Sequence, residues 1–495
     1  MPLRTFNRAQ SWLLPPTLDE LIPKDHPARF VAEFVDVLDQ DVWADLQIGL
    51  DGEPLGAPAY HPKALLSVWV YGFMTGIRSS RKLEGACRDQ LPYLWLTGWQ
   101  YPDHNTLWRF YKAHREAMRR LLKQTVGTAV ELGLTDLALQ ALDGTRISAN
   151  AAGDRTHNAH ELQRLLDRVD SEIKELESQN EADDDPPPPH LPEELQKAQS
   201  LRQQIQWAQK RLEQQDLKKI NLTDSDAQLM KARSGVIVGY NAQAMVSPVD
   251  PTNGKGSGML ITAVSVVNSA ADSGQLVPML EHAEAITGKR CQVTLADGGY
   301  HTAANLIAGK SRGQTLVMTE RYQEELLEPY FKDQFKYDPD NECFICPHGQ
   351  QLPFRGFRKS PTNGSRSIRY YRAPKVVCHR CPAYGTCTKD KHTGRAIWIG
   401  PADKLLREHR QWMQAEEAKQ LYARRKVLCE PTFGILKDQQ LGRRFLLRGL
   451  VNVQAEFSLL ATAFNLRTMW RVIKHLTNVT QNKQTESQLT AAAAI

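Results

Sequence analysis

No apolar run in this 495-residue chain approaches the roughly 20 residues that a membrane-spanning helix needs. The opening MPLRTFNRAQSWLLPP has no apolar stretch long enough for a secretory signal, so the protein is expected in the cytoplasm. Cysteine is scarce. Of eight residues, five crowd between Cys343 and Cys387, which in a reducing compartment argues for a metal rather than for disulfides. A strong excess of one charge is also missing: 62 Lys and Arg against 56 Asp and Glu leave a net +6, a weak argument for a polyanion partner. The 41% hydrophobic and 24% charged content is that of a soluble globular protein, and the length allows two to four domains.

Charge is concentrated locally. Eleven Lys and Arg stand between Arg355 and Arg395 against one acid, Asp390. Arginines interleaved with Tyr370 and Tyr371 can neutralise phosphates while the rings stack, so nucleic acid is the natural partner of this segment. Three carboxylate motifs are the other informative feature. LALQALDGTRISAN carries Asp143, QVTLADGGYHTAANL carries Asp297, and LYARRKVLCEPTFGILK carries Glu430. The first two read as strands that stop at an aspartate followed by glycine, which puts each carboxylate at an exposed strand end; the third lies in a helical pattern. Three such acids can hold two hard cations, the arrangement for in-line attack on a phosphodiester.

Asp143-Gly144-Thr145, Asp297-Gly298-Gly299-Tyr300 and the series Tyr422, Arg425, Glu430, Lys437 resemble the DDE transposases of bacterial insertion sequences. The resemblance extends to RSSRKLEGACRDQLPYLWLTGWQYPDHNTLWRF upstream and RFLLRGLVNVQAEFSLLATAFNL downstream. It implies cleavage at the ends of an element and strand transfer into target DNA. Asp143, Asp297 and Glu430 would be catalytic and hold two Mg2+, for which Mn2+ can substitute, while Tyr422, Arg425 and Lys437 position DNA. The family's glutamate helix has its arginine four residues before the glutamate; Lys426 occupies that place here, and Arg425 lies one residue earlier. Rival readings are a domesticated, non-catalytic DNA-binding protein and a stand-alone RNase H-like nuclease.

The expected fold is α/β: an RNase H-like mixed sheet core with an N-terminal all-helical domain, a helical-hairpin insertion and a small zinc-binding insertion. Residues 1–135 read as the helical domain, with an α-helix start at Asn105 or Thr106 and basic residues that can hold DNA ends. Residues 136–340 form the first part of the core, interrupted at 157–218 by two amphipathic helices that the run DDDPPPPH divides, a spacer or dimer contact. Residues 341–398 are the basic cysteine-rich insertion. Cys343, Cys346, Cys378 and Cys381 are its expected structural zinc ligands, with Cys387 as an alternative. Its eleven basic residues have little apolar sequence to fold on, which assigns the metal much of the folding free energy. Residues 399–475 complete the core, with a kink or restart of the helix at Pro431 and with Glu430 and Lys437 within about 20° of each other on a continuous helix. Residues 476–495 read as a disordered tail. The expected partners are double-stranded DNA and a second copy of the chain on it, at the nucleoid.

Overall fold

The computed structural model describes residues 17–50, 58–135, 137–183, 193–233, 235–249, 258–320, 328–359 and 367–492. Seven helices come first: α1 (Pro27–Asp36), α2 (Gln40–Asp45), α3 (Pro62–Thr75), α4 (Ser80–Asp89), α5 (Leu91–Leu96), α6 (His104–His114) and α7 (Leu121–Glu131). Helix α3 is apolar all round and buried from Leu65 to Met74, the mark of a helix wrapped by others. The cap of α6 is Asp103, whose carboxylate accepts from the Thr106 amide at 2.8 Å. Asn105 and Thr106, expected to start this helix, lie inside it because aspartate already serves the free amides of its first turn.

Strand β1 (Leu139–Ser148) leads to a hairpin of α8 (Ala159–Asp183) and α9 (Glu193–Gln214), closed at its base by the short pair β2 (Thr156–His157) and β3 (Ile220–Asn221). Leu162, Val169, Ile173, Ile205 and Ala208 pack into a core of the hairpin's own. The dividing DDDPPPPH run lies, from residue 184, outside the described residues. The main sheet continues with β4 (Gln228–Ala232), β5 (Gly235–Val249), β6 (Gly258–Val267), α10 (Leu276–Thr287), β7 (Val293–Ala296), α11 (Ala303–Ser311) and β8 (Thr315–Met318). Its order is β4-β5-β1-β7-β8, with β6 also on β5. The β1–β7 and β7–β8 pairs are parallel, and β1–β5, β4–β5 and β5–β6 are antiparallel.

A second sheet of five strands follows: β9 (Lys336–Asp338), β10 (Cys343–Ile345), β11 (Gln351–Arg358), β12 (Ile368–Arg372) and, after the short α12 (Lys375–His379), β13 (Ala396–Ile399). Phe335, Phe344, Leu352, Tyr371, Ala373 and Ile397 give it an apolar core. The expectation that this segment lacks a core of its own is therefore corrected: its few apolar residues fall on one face of alternating strands, which is enough to close a small sheet. Then come α13 (Asp403–Trp412), α14 (Glu416–Gly434) and α15 (Leu450–Ala492). The last of these runs through most of the expected disordered tail. Extending a long helix through Gln-, Glu- and Ala-bearing sequence requires no new nucleation.

The N-terminal helices have no separate core. Val68, Trp69 and Phe73 of α3 share one apolar cluster with Ala141 and Ile147 of β1 and with Phe457, Leu460 and Phe464 of α15. Buried Arg78 donates to Glu456 Oε1 at 2.7 Å, and Glu456 also accepts from the Leu446 and Leu447 amides at 3.0 Å. Burial pushes the Glu456 carboxyl up, against the pull of Arg78 and those amides. No helix among the described residues is long and apolar enough to cross a membrane.

Candidate active site and cysteine cavity

Side chains alternate across a strand, so Asp143 and Thr145 stand on the same face of β1 as Ala141 and Ile147. Asp297, directly after β7, continues the parity of Leu295 on that face. Helix α14 packs there against β1, β5, β7 and β8. Asp143 is not at the end of its strand, as the Asp-Gly pair led us to expect: β1 runs on to Ser148 as the antiparallel partner of β5. What ends at Leu142 is the parallel pairing with β7. Both aspartates thus flank the point where two parallel strands part.

Gly144 and Gly299 serve close approach here. A Cβ on Gly144 would lie 2.3 Å from Gln243 Nε2 and 2.9 Å from Asp272 Oδ1, and one on Gly299 would lie 2.9 Å from Asp297 Oδ1. Asp143 accepts from the Gly144 amide and Asp297 from the Gly299 amide, each at 2.8 Å. Burial pushes the Asp143 carboxyl up to about 6; the Arg425 guanidinium opposes this, and the nearby Asp297 adds to it.

Asp272, which no motif flags, is the hub beside Gly144 and the turn that follows Asp297. Its Oδ1 accepts from Asn241 Nδ2 at 2.7 Å and Gln243 Nε2 at 2.9 Å, and its Oδ2 from Arg146 at 3.0 Å. Gln243 in turn accepts from the Tyr300 hydroxyl. His301 meets His409 of α13 at 3.2 Å and Glu320 at 3.3 Å, fixing the other side of the Asp297 turn.

Helix α14 brings Arg425 to Asp143, Nη1 to Oδ2 at 2.9 Å. Cys429, one turn on, is buried on the same side, with its thiol pushed up by burial and then by Asp143. Glu430 is a further 100° round and exposed. The structure does not gather it with the two aspartates: among the described residues, no three His, Cys, Asp or Glu side chains are spaced as ligands of one metal ion. Of the kink or restart expected at Pro431, the restart is absent. The helix passes through Pro431 to Gly434 and changes to π-helix over Ile435–Gln439. Wider turns rotate Lys437 away from the regular spacing, and its ammonium donates to Thr145 Oγ1 while Glu430 stays outside. Tyr422 accepts from Thr319 Oγ1 at 3.0 Å, with Arg425 over its ring at 5.8 Å. Tyr422 therefore braces Arg425.

In the second sheet, Cys346, Cys378, Cys381 and Cys387 line one cavity with Tyr330 and His348. The Gln350 amide donates to Cys346 Sγ and the Arg395 amide to Cys378 Sγ, both at 3.3 Å. Cys343 does not line it. On β10 it alternates with Phe344, which points into the module's core beside the cavity, so Cys343 is buried away from it. The two tyrosines separate in the same way: Tyr371 is core, and Tyr370 faces outward beneath arginines.

Two family models match the chain: a transposase domain (DUF772) over residues 16–113 and a transposase DDE domain over residues 345–470. No curated protein and no solved structure matches. The first match covers α1 to α6; the second begins in the cysteine-bearing sheet and takes in α14 with Arg425 and Glu430. A DDE model over the glutamate helix and a second transposase model over the N-terminal helices together indicate an insertion-sequence DDE transposase.

Proposed function

We propose that this transposase hydrolyses the phosphodiester at each end of its element and joins the freed 3′-hydroxyl to target DNA, with Asp143 and Asp297 at the centre of the reaction. The observation that carries the reading is their placement on one face at the parting of β1 and β7. The path β6-β5-β1-β7-β8, antiparallel in its first half and parallel in its second, supports an RNase H-like core.

Two adjacent carboxylates suit a hard divalent cation, and Asp143 and Asp297 would hold Mg2+, or Mn2+ in its place. Glu430 fits less well, being exposed; it completes the acid set only if α14 turns as Arg425 lets go of Asp143. Such ions, when bound, supply charge to activate the attacking oxygen and stabilise the leaving one. The chain's own residues orient the substrate. Lys437, half-buried at Thr145, is set to meet a DNA phosphate near Asp143, and Arg425, once released, supplies a second cation there. The N-terminal helices would hold DNA ends, and the α8–α9 hairpin would space or join two copies on DNA.

Cys346, Cys378, Cys381 and Cys387 are the donor set we assign to one structural zinc. Four thiols around one cavity and two amides directed at their sulfurs support it, although closure to ligand spacing is still needed.

The test is end cleavage by Asp143→Ala, Asp297→Ala and Glu430→Ala. Each is expected to abolish cleavage while DNA binding persists. A wild-type rate in any of them removes that residue from the site.

A further inference from the structure

The second sheet has two faces, and only one is used by its core. Strands β11, β12 and β13 pair so that Gly356, Tyr370 and Trp398 lie side by side on the outward face. The Tyr370 and Trp398 rings stack, with centroids 6.0 Å apart and planes at 29°. Arg358 and Arg372 place their guanidiniums over the Tyr370 ring at 5.0 Å and 4.9 Å. Trp398 remains 54% exposed, whereas Tyr370 is 7% exposed with its buried hydroxyl lacking a hydrogen-bond partner, as does Arg372 Nε. On the far side of Tyr370, Gly356 has no side chain, and a Cβ there would meet nothing. The result is a flat aromatic platform bordered by cations and open at one edge.

We propose that this platform binds unpaired nucleotides of DNA, with a base stacked on Trp398 and the adjoining phosphates held by Arg358 and Arg372. Charge selects an anion: the only acid between Arg355 and Arg395, Asp390, is turned inward on its own loop by the amides of His392 and Thr393. The exposed ring selects a partner with a free aromatic face. In a continuous duplex each base is covered by its neighbours, so a protein ring can stack only on a single strand or an opened end. Guanidiniums already held over Tyr370 are pre-oriented for phosphate and lose little freedom on binding. The inference rests on the DNA-cleaving reading for its occasion, since cutting at an element's end frees such strands.

The experiment is fluorescence anisotropy with the full chain, carrying Asp143→Ala and without divalent cation, so that binding is read apart from cleavage. The probes are labelled oligothymidylate and a blunt duplex of equal length. Trp398→Ala is expected to weaken single-strand binding about ten- to a hundredfold, in line with loss of one stacked base, and to leave duplex binding unchanged. Trp398→Phe should restore most of it, and Arg358→Ala should flatten the salt dependence. Unchanged single-strand affinity in Trp398→Ala overturns the proposal, as does equal loss on both probes. Competition by polyglutamate as strong as by oligothymidylate also overturns it, since charge alone would then be recognised. If cleavage is instead found to survive Asp143→Ala, the catalytic reading falls and the platform stands.

Discussion

Arg425 on α14 and Asp143 on β1 form an ion pair at 2.9 Å, with 13% and 20% of the two side chains exposed. A guanidinium thus neutralises one of two neighbouring carboxylates, and any divalent cation must compete with it for Asp143. Arg425→Ala should therefore raise the apparent affinity for Mn2+ in the absence of DNA, as measured by calorimetry, while lowering affinity for the cut DNA end. Weaker Mn2+ binding in that variant would show the arginine to be a support for the acid pair instead.

The Asp143 carboxyl, raised to about 6 from an ordinary 3.8 mainly by burial, gives a pH prediction. A carboxyl whose folded pKa lies above its unfolded one favours the folded state below the unfolded value, and that contribution is lost as pH rises through the folded value. Asp143 thus opposes folding at neutral pH and does so less between about 6 and 4. Divalent cations need the ionised form. Mn2+ affinity should fall about tenfold per pH unit below 6, one proton being taken up for each ion displaced. Asp143→Asn should remove this slope; a slope that persists in the variant would assign it to another group.

Asp272 makes a sharper test of how the backbone beside the two aspartates is held. Asp272→Ala removes the acceptor shared by Asn241, Gln243 and Arg146. Cleavage should slow by roughly 10–100-fold, the usual cost of losing a group that orients metal-site residues. The loss should appear in the metal concentration needed for half-maximal rate, with DNA affinity unchanged. A variant of wild-type metal dependence would leave Asp272 a structural residue only.

For the cysteine cavity, Cys387→Ser should lower zinc content by elemental analysis, and Cys343→Ser should leave it intact. The opposite pattern would restore the ligand set read from CxxC spacing alone. Spacing pairs Cys343 with Cys346, but strand alternation sends the first of them away from the cavity, and no count along the chain shows which strand face a cysteine takes.

Other parts of the site were legible to different depths for similar reasons. Asp143 and Asp297 stood out because apolar strands run into them, and the sheet and its connecting helices followed the same patterning. Asp272 was invisible: it sits in a loop, and its role comes from side chains of two strands, β1 and β5, meeting around it. The orientation of Glu430 turned on Pro431 and the π-turn after it, where proline's usual helix-breaking was outweighed by burial of Leu428 and Phe433 in the apolar cluster that α14 shares with the sheet.

Arg78→Ala should lower stability by about 3–5 kcal/mol, because Glu456 would be left buried without its counter-charge. Replacing both by apolar residues, Arg78→Met with Glu456→Leu, should recover much of the loss in denaturant unfolding. A single Arg78→Ala chain as stable as wild type would mean that the backbone amides of Leu446 and Leu447 suffice for Glu456.

Arg78 and Glu456 are 378 residues apart in the chain. During translation the N-terminal helices emerge with their apolar faces bare, and the surface that covers them follows only with α15. The nascent chain must therefore remain open, and exposed to aggregation, until α15 has been made. A product cut short before α15, by a frameshift or an early stop, would lack the central core as well as its last helix, and so could not persist as a DNA-binding fragment that competes with the intact protein.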